Sequence, residues 1–332
     1  MNIIKIEDAM QVDACIVDTR SPAEFEHDHI PNAINIPIFE NNERHEIGKL
    51  YKADQQKAFD LGIEYYSKKI PNLVKDIQKL PYKNIVVYCW RGGMRSRAIT
   101  QLVELMGYKA YQLEGGYKDY RAYVREKLYN YVPKFRFIVL WGNTGTAKTR
   151  IIKKLNPAID LEGLAQHRSS LFGAVGLKPR SQKFFESLLF FELEKLKNEK
   201  FVFVEGESKK IGDAIIPDKL YEHIKKGINV KVTASIKTRI KNTVEEYFAE
   251  ENIQGIKEVI PKLKQKLGKK RIEDMLLWMD EGEYENVAEV LLKEYYDPLY
   301  SNTIDNIKYD YEINANDIGR SVSKLRNLFL TL

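Results

Sequence analysis

Short apolar runs alternate with segments of helical periodicity along the first 130 residues. Each run is β-branched and bounded by polar or turn residues, which is typical of buried strands. Strands that alternate with helices predict a parallel sheet. Strands are predicted over residues 14–18, 33–37, 84–88 and 110–113, and helices from Ser21 (N-cap) and Pro22 (first turn), over 96–106, which ends at Gly107, and over 117–131.

A second pattern of the same kind follows a linker at Pro133 and Lys134. Strands are predicted over residues 135–141, 201–205 and 229–233, and a helix begins near Lys148. Residues 41–80 are predicted to be helical with a break at Pro71, and residues 236–296 to be mainly helical, ending at Asp297-Pro298. The predicted fold class is therefore α/β, with a parallel-sheet domain over 1–130 and a second α/β domain over 131–332, whose helical part covers about 236–300.

The composition of the chain argues against several classes of protein. The chain has 332 residues, a net charge of +6 and only two cysteines, Cys15 and Cys89, which excludes a disulfide framework and a cysteine zinc cluster. No apolar run approaches the roughly 18 residues of a membrane span, and residues 1–8 lack the layout of a signal peptide. A cytoplasmic protein without a membrane partner is expected. The basic excess is compatible with RNA but does not establish it.

The loop from Cys89 to Arg95 carries the strongest chemical signal. It joins a buried strand to a helix, where backbone N–H groups stabilise both a thiolate and a bound anion. Two glycines let successive amides point inward, and the arginines of the loop lower the pKa of a thiol and bind oxyanions. Cys89 is the predicted nucleophile, whereas Cys15 lies in an apolar strand and is predicted to be structural. The predicted anion ligands are Trp90, Arg91, Gly92, Gly93, Met94 and Arg95.

The flanks of this loop resemble a known domain. Residues 16–25 (IVDTRSPAEF) with 29–37 (HIPNAINIP) resemble the opening signature of rhodanese domains, and residues 113–117 (LEGGY) resemble their closing signature. The resemblance implies that Asp18 and Arg20 are structural partners near the loop. The loop counts seven residues where sulfurtransferases of this type usually have six. A wider ring suits a tetrahedral, phosphate-sized group, and phosphatases share it, so phosphate ester hydrolysis stays open.

A phosphate-binding pattern follows the strand at 135–141. Strand, glycine loop and helix match a P-loop in context, with Lys148 for phosphate charge and Thr149 for Mg²⁺. Ala147 stands where the usual pattern has glycine. If that position requires a positive φ, alanine costs on the order of 1 kcal/mol. Diphosphate binding is expected more than nucleotide hydrolysis, and the predicted ligands are Gly142, Asn143, Thr144, Gly145, Thr146, Ala147, Lys148 and Thr149.

Two further loops place acids after predicted strands. Asp160 and Glu162 precede His167 and Arg168, and Glu205 and Glu207 precede Lys209 and Lys210. Ligands bind at the carboxyl ends of strands in open sheets, so these four carboxylates are candidates for acid–base catalysis or metal binding. His167 alone is a weak signal.

The order of these motifs resembles the tRNA 2-selenouridine synthase family. The resemblance spans nearly the whole chain, including residues 160–168 (DLEGLAQHR), 205–212 (EGESKKIG) and 295–300 (YYDPLY), with Ala147 as the main departure. It implies a rhodanese-like domain followed by a P-loop NTPase-like domain. It also implies replacement of sulfur by selenium at C2 of a wobble 2-thiouridine, with selenophosphate supplied by a selenophosphate synthetase and geranyl diphosphate as co-substrate. Cys89 is expected to receive or steer selenium, and no tightly bound cofactor is expected.

A tRNA partner requires a basic surface. Candidates are Arg168, Lys209 and Lys210, with Arg121, Arg125 and residues 262–271 as further basic positions. Trp90, Tyr117 and Phe172 could stack on a flipped base, although each taken singly favours core packing. The alternatives left open are a sulfurtransferase or phosphatase fused to a nucleotide-binding module, a small-molecule kinase, and a non-enzymatic RNA-binding or thiol-sensing protein.

Overall fold

Two parallel sheets organise the chain, and a computed structural model describes residues 2–82 and 84–330. The chain divides into one unit of Met1–Leu128 with Glu186–Phe190 and another of Tyr129–Phe185 with Phe191–Leu332. Each unit contains one five-stranded sheet whose neighbouring strands are all parallel. The predicted α/β class is confirmed.

The first sheet has the strand order β1-β5-β4-β2-β3. Its core is made by β-branched residues such as Val17, Ile85 and Ile99, which are fully buried because helices cover the sheet. The strands are β1 Asn2–Ile4, β2 Cys15–Asp18, β3 Ile34–Asn35, β4 Asn84–Tyr88 and β5 Lys109–Leu113. The helices are α1 Ile6–Ala9, α2 Pro22–His27, α3 Asn41–Ala53, α4 Gln55–Gln78, α5 Met94–Leu105 and α6 Gly116–Tyr129.

The second sheet has the order β12-β11-β6-β8-β7. Between β8 and β11 in the chain, β9 and β10 form a separate antiparallel pair. Apolar residues of β6, β8 and β11 form its core. The strands are β6 Arg136–Trp141, β7 Ala158–Ile159, β8 Phe201–Glu205, β9 Lys210–Ile211, β10 Ala214–Ile215, β11 Ile228–Thr233 and β12 Tyr311–Asn314. The helices before β11 are α7 Lys148–Ile152, α8 Leu161–Ala165, α9 Gln182–Lys195 and α10 Asp218–Lys225.

A helical segment follows β11 and packs on its own apolar cluster around Met275, Val287 and Leu292. Its α-helices are α11 Ile236–Tyr247, α12 Ile253–Val259, α13 Lys264–Leu267, α14 Lys269–Glu281, α15 Tyr284–Val290 and α16 Asp297–Asp305, and α17 Ile318–Leu330 follows β12. Short 3-10 turns cover Glu250–Asn252 and Ile260–Leu263, and a π-helix covers Leu291–Tyr296. Within the described part of the chain, no helix is both long and apolar enough to cross a membrane.

Two predictions about this architecture are wrong, and two edge strands were not predicted. The break in the helical segment 41–80 lies at Asp54, whose side chain caps α4, while Pro71 lies inside that helix. Burial of Leu73 and Ile77 against the first sheet offsets the backbone hydrogen bond that a proline cannot donate.

The helical part does not end at Asp297-Pro298. That pair begins α16, because proline is tolerated in the first turn of a helix. The chain then returns to the second sheet as β12, an edge strand that the sequence pattern did not reveal. The edge strand β1 of the first sheet was missed in the same way.

Candidate functional site

The Cys89 loop lies between the carboxyl end of β4 and the start of α5, as predicted. Glycines bring two segments of backbone into contact here. Gly92 has a positive φ of 62°, and a Cβ there would lie 2.8 Å from the Leu113 carbonyl oxygen. Gly116 also has a positive φ, and a Cβ there would lie 2.4 Å from the Cys89 oxygen. The closing residues 113–117 are therefore packed directly against the loop.

The start of α6 holds the loop from outside. The N–H groups of Tyr117 and Lys118 donate to the carbonyl oxygens of Cys89 and Trp90, at 2.8 and 3.0 Å. With these carbonyls turned away, the amides of the loop can face the thiol. The N–H of Gly93 donates to the Cys89 Sγ at 3.2 Å.

The thiol of Cys89 is buried, yet its surroundings favour the ionised form. Burial raises the pKa of Cys89, while the hydrogen bond from Ser96, the charge of Arg95 and the backbone donor of Gly93 lower it by more, so the pKa lies below its ordinary value. Burial alone acts on Cys15, whose pKa is raised. The pKa values of the two cysteines are thus shifted in opposite directions, and the lower pKa belongs to the candidate nucleophile.

Ser96 and Gln112 complete this environment, and sequence reasoning missed both. Ser96 is fully buried, and its hydroxyl donates to the Cys89 Sγ at 3.2 Å. The side-chain amide of Gln112 donates to the Ser96 Oγ at 2.9 Å and to the carbonyls of Gly92 and Gly93 at 2.8 and 3.1 Å. The Ser96 hydroxyl has a second acceptor in the Gly93 carbonyl at 3.1 Å. Gln112 therefore occupies a lone pair of the hydroxyl and also donates to the carbonyl that competes with the thiol for the hydroxyl hydrogen.

Arg95 is held beside the loop by an acid. Its Nη1 donates to Glu24 Oε2 at 3.0 Å, and the same oxygen accepts from the Ser21 N–H in the capping box of α2. One guanidinium nitrogen is thus engaged, which orients the planar fork and leaves its remaining donors to bind an oxyanion. The predicted N-cap role of Ser21 is confirmed.

The buried pair behind the loop is structural, as expected. Asp18 accepts three side-chain hydrogen bonds from Arg20, two from Nε at 3.0 Å and one from Nη2 at 2.6 Å, and the guanidinium lies 4.0 Å from the Tyr117 ring centroid. Tyr117 and Phe172 are buried, which leaves Trp90 as the exposed member of the three predicted stacking residues. Arg91 and Met94 are also exposed at the loop.

The glycine loop follows β6 and leads into α7, as a P-loop does. Ala147 adopts the left-handed conformation, with φ 63° and ψ 28°, and it is buried. The position thus requires the conformation for which glycine is the usual residue. The Lys148 Nζ donates to the Gly142 carbonyl at 2.8 Å, so the ammonium folds back over the loop.

Side chains from α11 and α16 hold the outer face of this loop. Arg239 donates to the Thr144 carbonyl at 2.8 Å, and Asn242 donates to the Gly145 carbonyl at 2.8 Å. Asp297 pairs with both terminal nitrogens of Arg239 at 2.9 and 2.6 Å. Because the carbonyls are engaged outside, the amides are available to an anion inside. The 295–300 motif thus gains a role that its sequence did not show.

Three carboxylates converge on the phosphate-binding loop. Glu205 is fully buried at the end of β8, and its Oε2 accepts from the Glu162 N–H at 3.4 Å. Burial and the charges of Asp160 and Glu207 raise the pKa of Glu205 to about 8. Burial and the neighbouring carboxylates raise the pKa of Glu162 well above its ordinary range, and burial raises that of Glu207 although Lys148 lowers it. Glu205 therefore keeps its proton at neutral pH, and the raised pKa of Glu207 makes it a stronger base than an ordinary carboxylate.

Oxygen ligands for Mg²⁺ are present at the same place. The Thr149 hydroxyl donates to Glu162 Oε2 at 3.2 Å, and Glu205 Oε1 is buried without a hydrogen-bond partner among the described residues. Hydroxyl and carboxylate oxygens are the ligands that Mg²⁺ prefers. Within residues 2–82 and 84–330, no three His, Cys, Asp or Glu side chains are arranged to hold a metal ion. Phosphate oxygens and water would supply the other ligands.

A cavity of about 330 Å³ opens over the loop. One wall carries the phosphate-binding loop with Lys148, and another carries Glu207 and Glu246. Aromatic side chains complete it, namely Trp141, Tyr221, Tyr247 and Tyr300. The cavity therefore combines an anion cradle with an apolar lining, which suits a diphosphate that bears an organic group.

The remaining predicted residues have other partners. Asp160 caps α8 by accepting from the Gly163 N–H at 2.7 Å. Arg168 pairs with Glu246 at 3.1 Å and lies over the Tyr247 ring within the cavity. Lys209 and Lys210 pair with Asp218 and Asp213.

His167 and Arg121 have packed positions as well. The His167 ring lies between Gly173 and Gly212, where a Cβ would meet ring atoms at 2.5 Å from either side. It therefore packs between two backbone segments. Burial lowers its pKa. Arg121 is buried, so it does not lie on an exposed basic surface.

Comparison with known proteins identifies both parts of the chain. The family described as the AAA domain of tRNA 2-selenouridine synthase matches residues 135–324, and the rhodanese-like domain family matches residues 5–123. A tRNA 2-selenouridine synthase of Sulfurovum sp. (strain NBC37-1) is 31% identical over 327 residues, covering 87% of this chain and 88% of the relative.

Two more relatives carry the same name. That of Nitrosomonas europaea is 32% identical and covers 76% of this chain and 69% of the relative. That of Alcanivorax borkumensis is 35% identical and covers 71% of this chain and 67% of the relative. The matches include the predicted modules in the predicted order.

Proposed function

The chain belongs to the tRNA 2-selenouridine synthase family, and on that premise we propose that it replaces sulfur by selenium at C2 of a wobble 2-thiouridine in tRNA. Geranyl diphosphate first alkylates the sulfur, and selenophosphate then supplies selenium. The observation that carries this proposal is the Cys89 thiol, whose pKa is lowered by the Ser96 hydroxyl, the charge of Arg95 and the Gly93 N–H within a loop of seven residues. A thiol placed this way reacts with a phosphate-like donor.

Alkylation belongs to the phosphate-binding loop and its cavity. Sulfur attacks C1 of the geranyl group, the C1–O bond breaks, and diphosphate leaves with the bonding electrons. The amides of residues 142–149 and the Lys148 ammonium stabilise that charge, and the aromatic wall accommodates the apolar chain. Mg²⁺ held by Thr149 and Glu205 would neutralise part of the diphosphate charge. The nucleobase loses its N3 proton, and Glu207, which lines the cavity, is the acceptor.

Selenation belongs to the Cys89 loop. Selenium has the same oxidation state, −2, in selenophosphate and in the product, so no step needs an oxidant. The Cys89 thiolate attacks phosphorus, the P–Se bond breaks, and hydrogen selenide leaves while the phosphoryl group stays on sulfur. Arg95 and the loop amides hold the phosphoryl oxygens.

The released selenium then completes the exchange. The selenium of hydrogen selenide adds to C2, the C2–S bond breaks, and geranylthiolate leaves with the bonding electrons and takes a proton from water. The proton of hydrogen selenide passes to N3, which restores the neutral base. Water hydrolyses the S-phosphocysteine and returns Cys89 to its thiolate form. Cys89 thus steers selenium without carrying it.

Incubation of thiolated tRNA with both co-substrates, followed by nucleoside mass spectrometry, tests this function. Cys89→Ser abolishes the selenated nucleoside and leaves the S-geranyl nucleoside to accumulate. Lys148→Ala slows geranylation, whereas Lys154→Ala, which changes an exposed lysine near the end of the same helix, does not. Selenation at the wild-type rate by Cys89→Ser contradicts the role of the thiol. Phosphate release without any modified nucleoside would indicate a phosphatase instead.

A further inference from the structure

A second cavity, of about 410 Å³, lies in the second unit at the amino-terminal ends of β6 and β8. It is lined by Lys134, Phe135, Arg136, Phe137, Lys200, Phe201, His223 and Lys226. We refer to it as the basic hollow. The phosphate-binding loop follows the carboxyl end of β6, and Glu205 is the last residue of β8, so the hollow lies at the opposite ends of the same two strands.

The sheet and α10 bring these cations together. Arg136 pairs in register with Phe201, so Lys200 lies on the neighbouring strand end, and the Arg136 N–H donates to the Lys200 carbonyl at 2.9 Å. Lys226 follows the end of α10. Gly227 permits that approach, because a Cβ there would lie 2.7 Å from the Phe137 carbonyl oxygen.

The charge in the hollow is of one sign. Its lining residues include no acid, and its four Lys and Arg side chains are exposed. None of these four forms an ion pair within residues 2–82 and 84–330, whereas Lys195, Lys197, Lys225 and Lys241 of the same unit each lie against a glutamate. Glu222 of α10 acts electrostatically on Lys226 without forming an ion pair with it. The four neighbouring cations still repel one another, and a bound anion relieves that repulsion.

The floor of the hollow strengthens its field and limits what can bind. Phe135 and Phe137 are buried, with ring centroids 5.1 Å apart, so the cations stand over an apolar base. Low-dielectric walls concentrate the field of like charges. Because the rings of Phe135 and Phe137 are covered, they offer no face on which a base can stack, and the four exposed cations favour contact with phosphate groups.

We propose that the basic hollow binds the phosphate backbone of the tRNA substrate, away from the modified nucleotide. The choice of RNA as the occupant rests on the proposed function. Phosphate contacts position a nucleic acid without reading its sequence. The hollow should therefore contribute to affinity and KM, equally for thiolated and unthiolated tRNA, and leave kcat unchanged at saturating tRNA.

Two variants of equal charge test this site. The first carries Lys134→Gln, Arg136→Gln, Lys200→Gln and Lys226→Gln, and the matched control carries Lys195→Gln, Lys197→Gln, Lys225→Gln and Lys241→Gln. Both lower the net charge from +6 to +2. The dissociation constant for tRNA is measured against salt concentration by fluorescence anisotropy, and thermal unfolding verifies that both variants fold. The single variants Lys200→Gln and Lys226→Gln are measured in the same tRNA binding assay, because one substitution is less disruptive to the fold than four.

The hollow variant should bind at least tenfold more weakly at about 0.1 M salt, and its salt slope should fall by about one for each phosphate that the protein no longer neutralises. The control should retain most of its affinity. Equal losses of affinity in both variants, or unchanged binding by the hollow variant, overturn the proposal. The proposal is also overturned if the hollow variant loses binding of inorganic diphosphate but binds tRNA as tightly as wild type. If wild-type protein makes no selenated nucleoside, the proposed function fails, and the binding comparison still decides the hollow.

Discussion

Ser96→Ala tests whether the buried hydroxyl keeps the Cys89 thiolate stable. The hydroxyl lies 3.2 Å from the sulfur and is fully buried, so water cannot replace it as a donor without a change in packing. A hydrogen bond to a charged group contributes about 1.5–3 kcal/mol. At about 1.4 kcal/mol for each factor of ten, its loss raises the pKa of Cys89 and lowers the thiolate fraction about tenfold or more at pH values below the midpoint.

The assay is the rate of alkylation by iodoacetamide as a function of pH, since only the thiolate reacts. A Cys15→Ala background leaves Cys89 as the single thiol. The wild-type profile should rise with a midpoint below that of an ordinary thiol, and the Ser96→Ala profile should move to higher pH. A profile that stays in place would refute the reasoning.

Gln112→Leu provides the control for mechanism. If Gln112 acts by orienting the Ser96 hydroxyl, its loss moves the midpoint upward in the wild type but adds little in the Ser96→Ala background. Full additivity of the two changes would show that Gln112 acts on the loop backbone alone. Unfolding temperatures of each variant separate this effect from a loss of folding.

Two other predictions concern the second unit. Ala147→Gly should change the free energy of unfolding by less than about 1 kcal/mol relative to wild type. Relief of the left-handed strain (about 1–2 kcal/mol) is offset by the larger backbone entropy of glycine in the unfolded chain and by the loss of a buried methyl group. A urea midpoint far below that of wild type would contradict this. Glu205→Gln should gain in unfolding temperature relative to wild type as the pH rises from about 4.5 to about 8. The unfolded carboxyl ionises near 4.5 whereas the folded one keeps its proton to about 8, so rising pH through this range destabilises wild type more than the variant. A difference independent of pH would show that Glu205 ionises normally.

Local patterns sufficed for most elements near the two sites. The strands before Cys89 and Gly142 were found because their apolar runs are short, β-branched and followed at once by glycine loops. The N-cap role of Ser21 could also be predicted from the local sequence, since capping involves only neighbours within one helical turn. The requirement for a positive φ at Ala147 was foreseen from the glycine that normally stands there.

Other features depend on contacts between distant residues. The edge strands β1 and β12 carry too little local pattern, and they exist because a neighbouring strand offers free backbone groups. Pro71 suggested a break by its own chemistry, but packing of the surrounding helix decided otherwise.

The sequence by itself determined the order of the modules, and it predicted the two candidate anion-binding loops and the candidate nucleophile, because each of these features depends on consecutive residues. Only the tertiary structure decided how those loops are held and charged. Gln112 reaches Ser96 from a neighbouring strand, and Asp297 supports the phosphate-binding loop through Arg239 from more than a hundred residues away. Burial is likewise a property of the folded chain, and it is burial that makes Glu205 retain its proton.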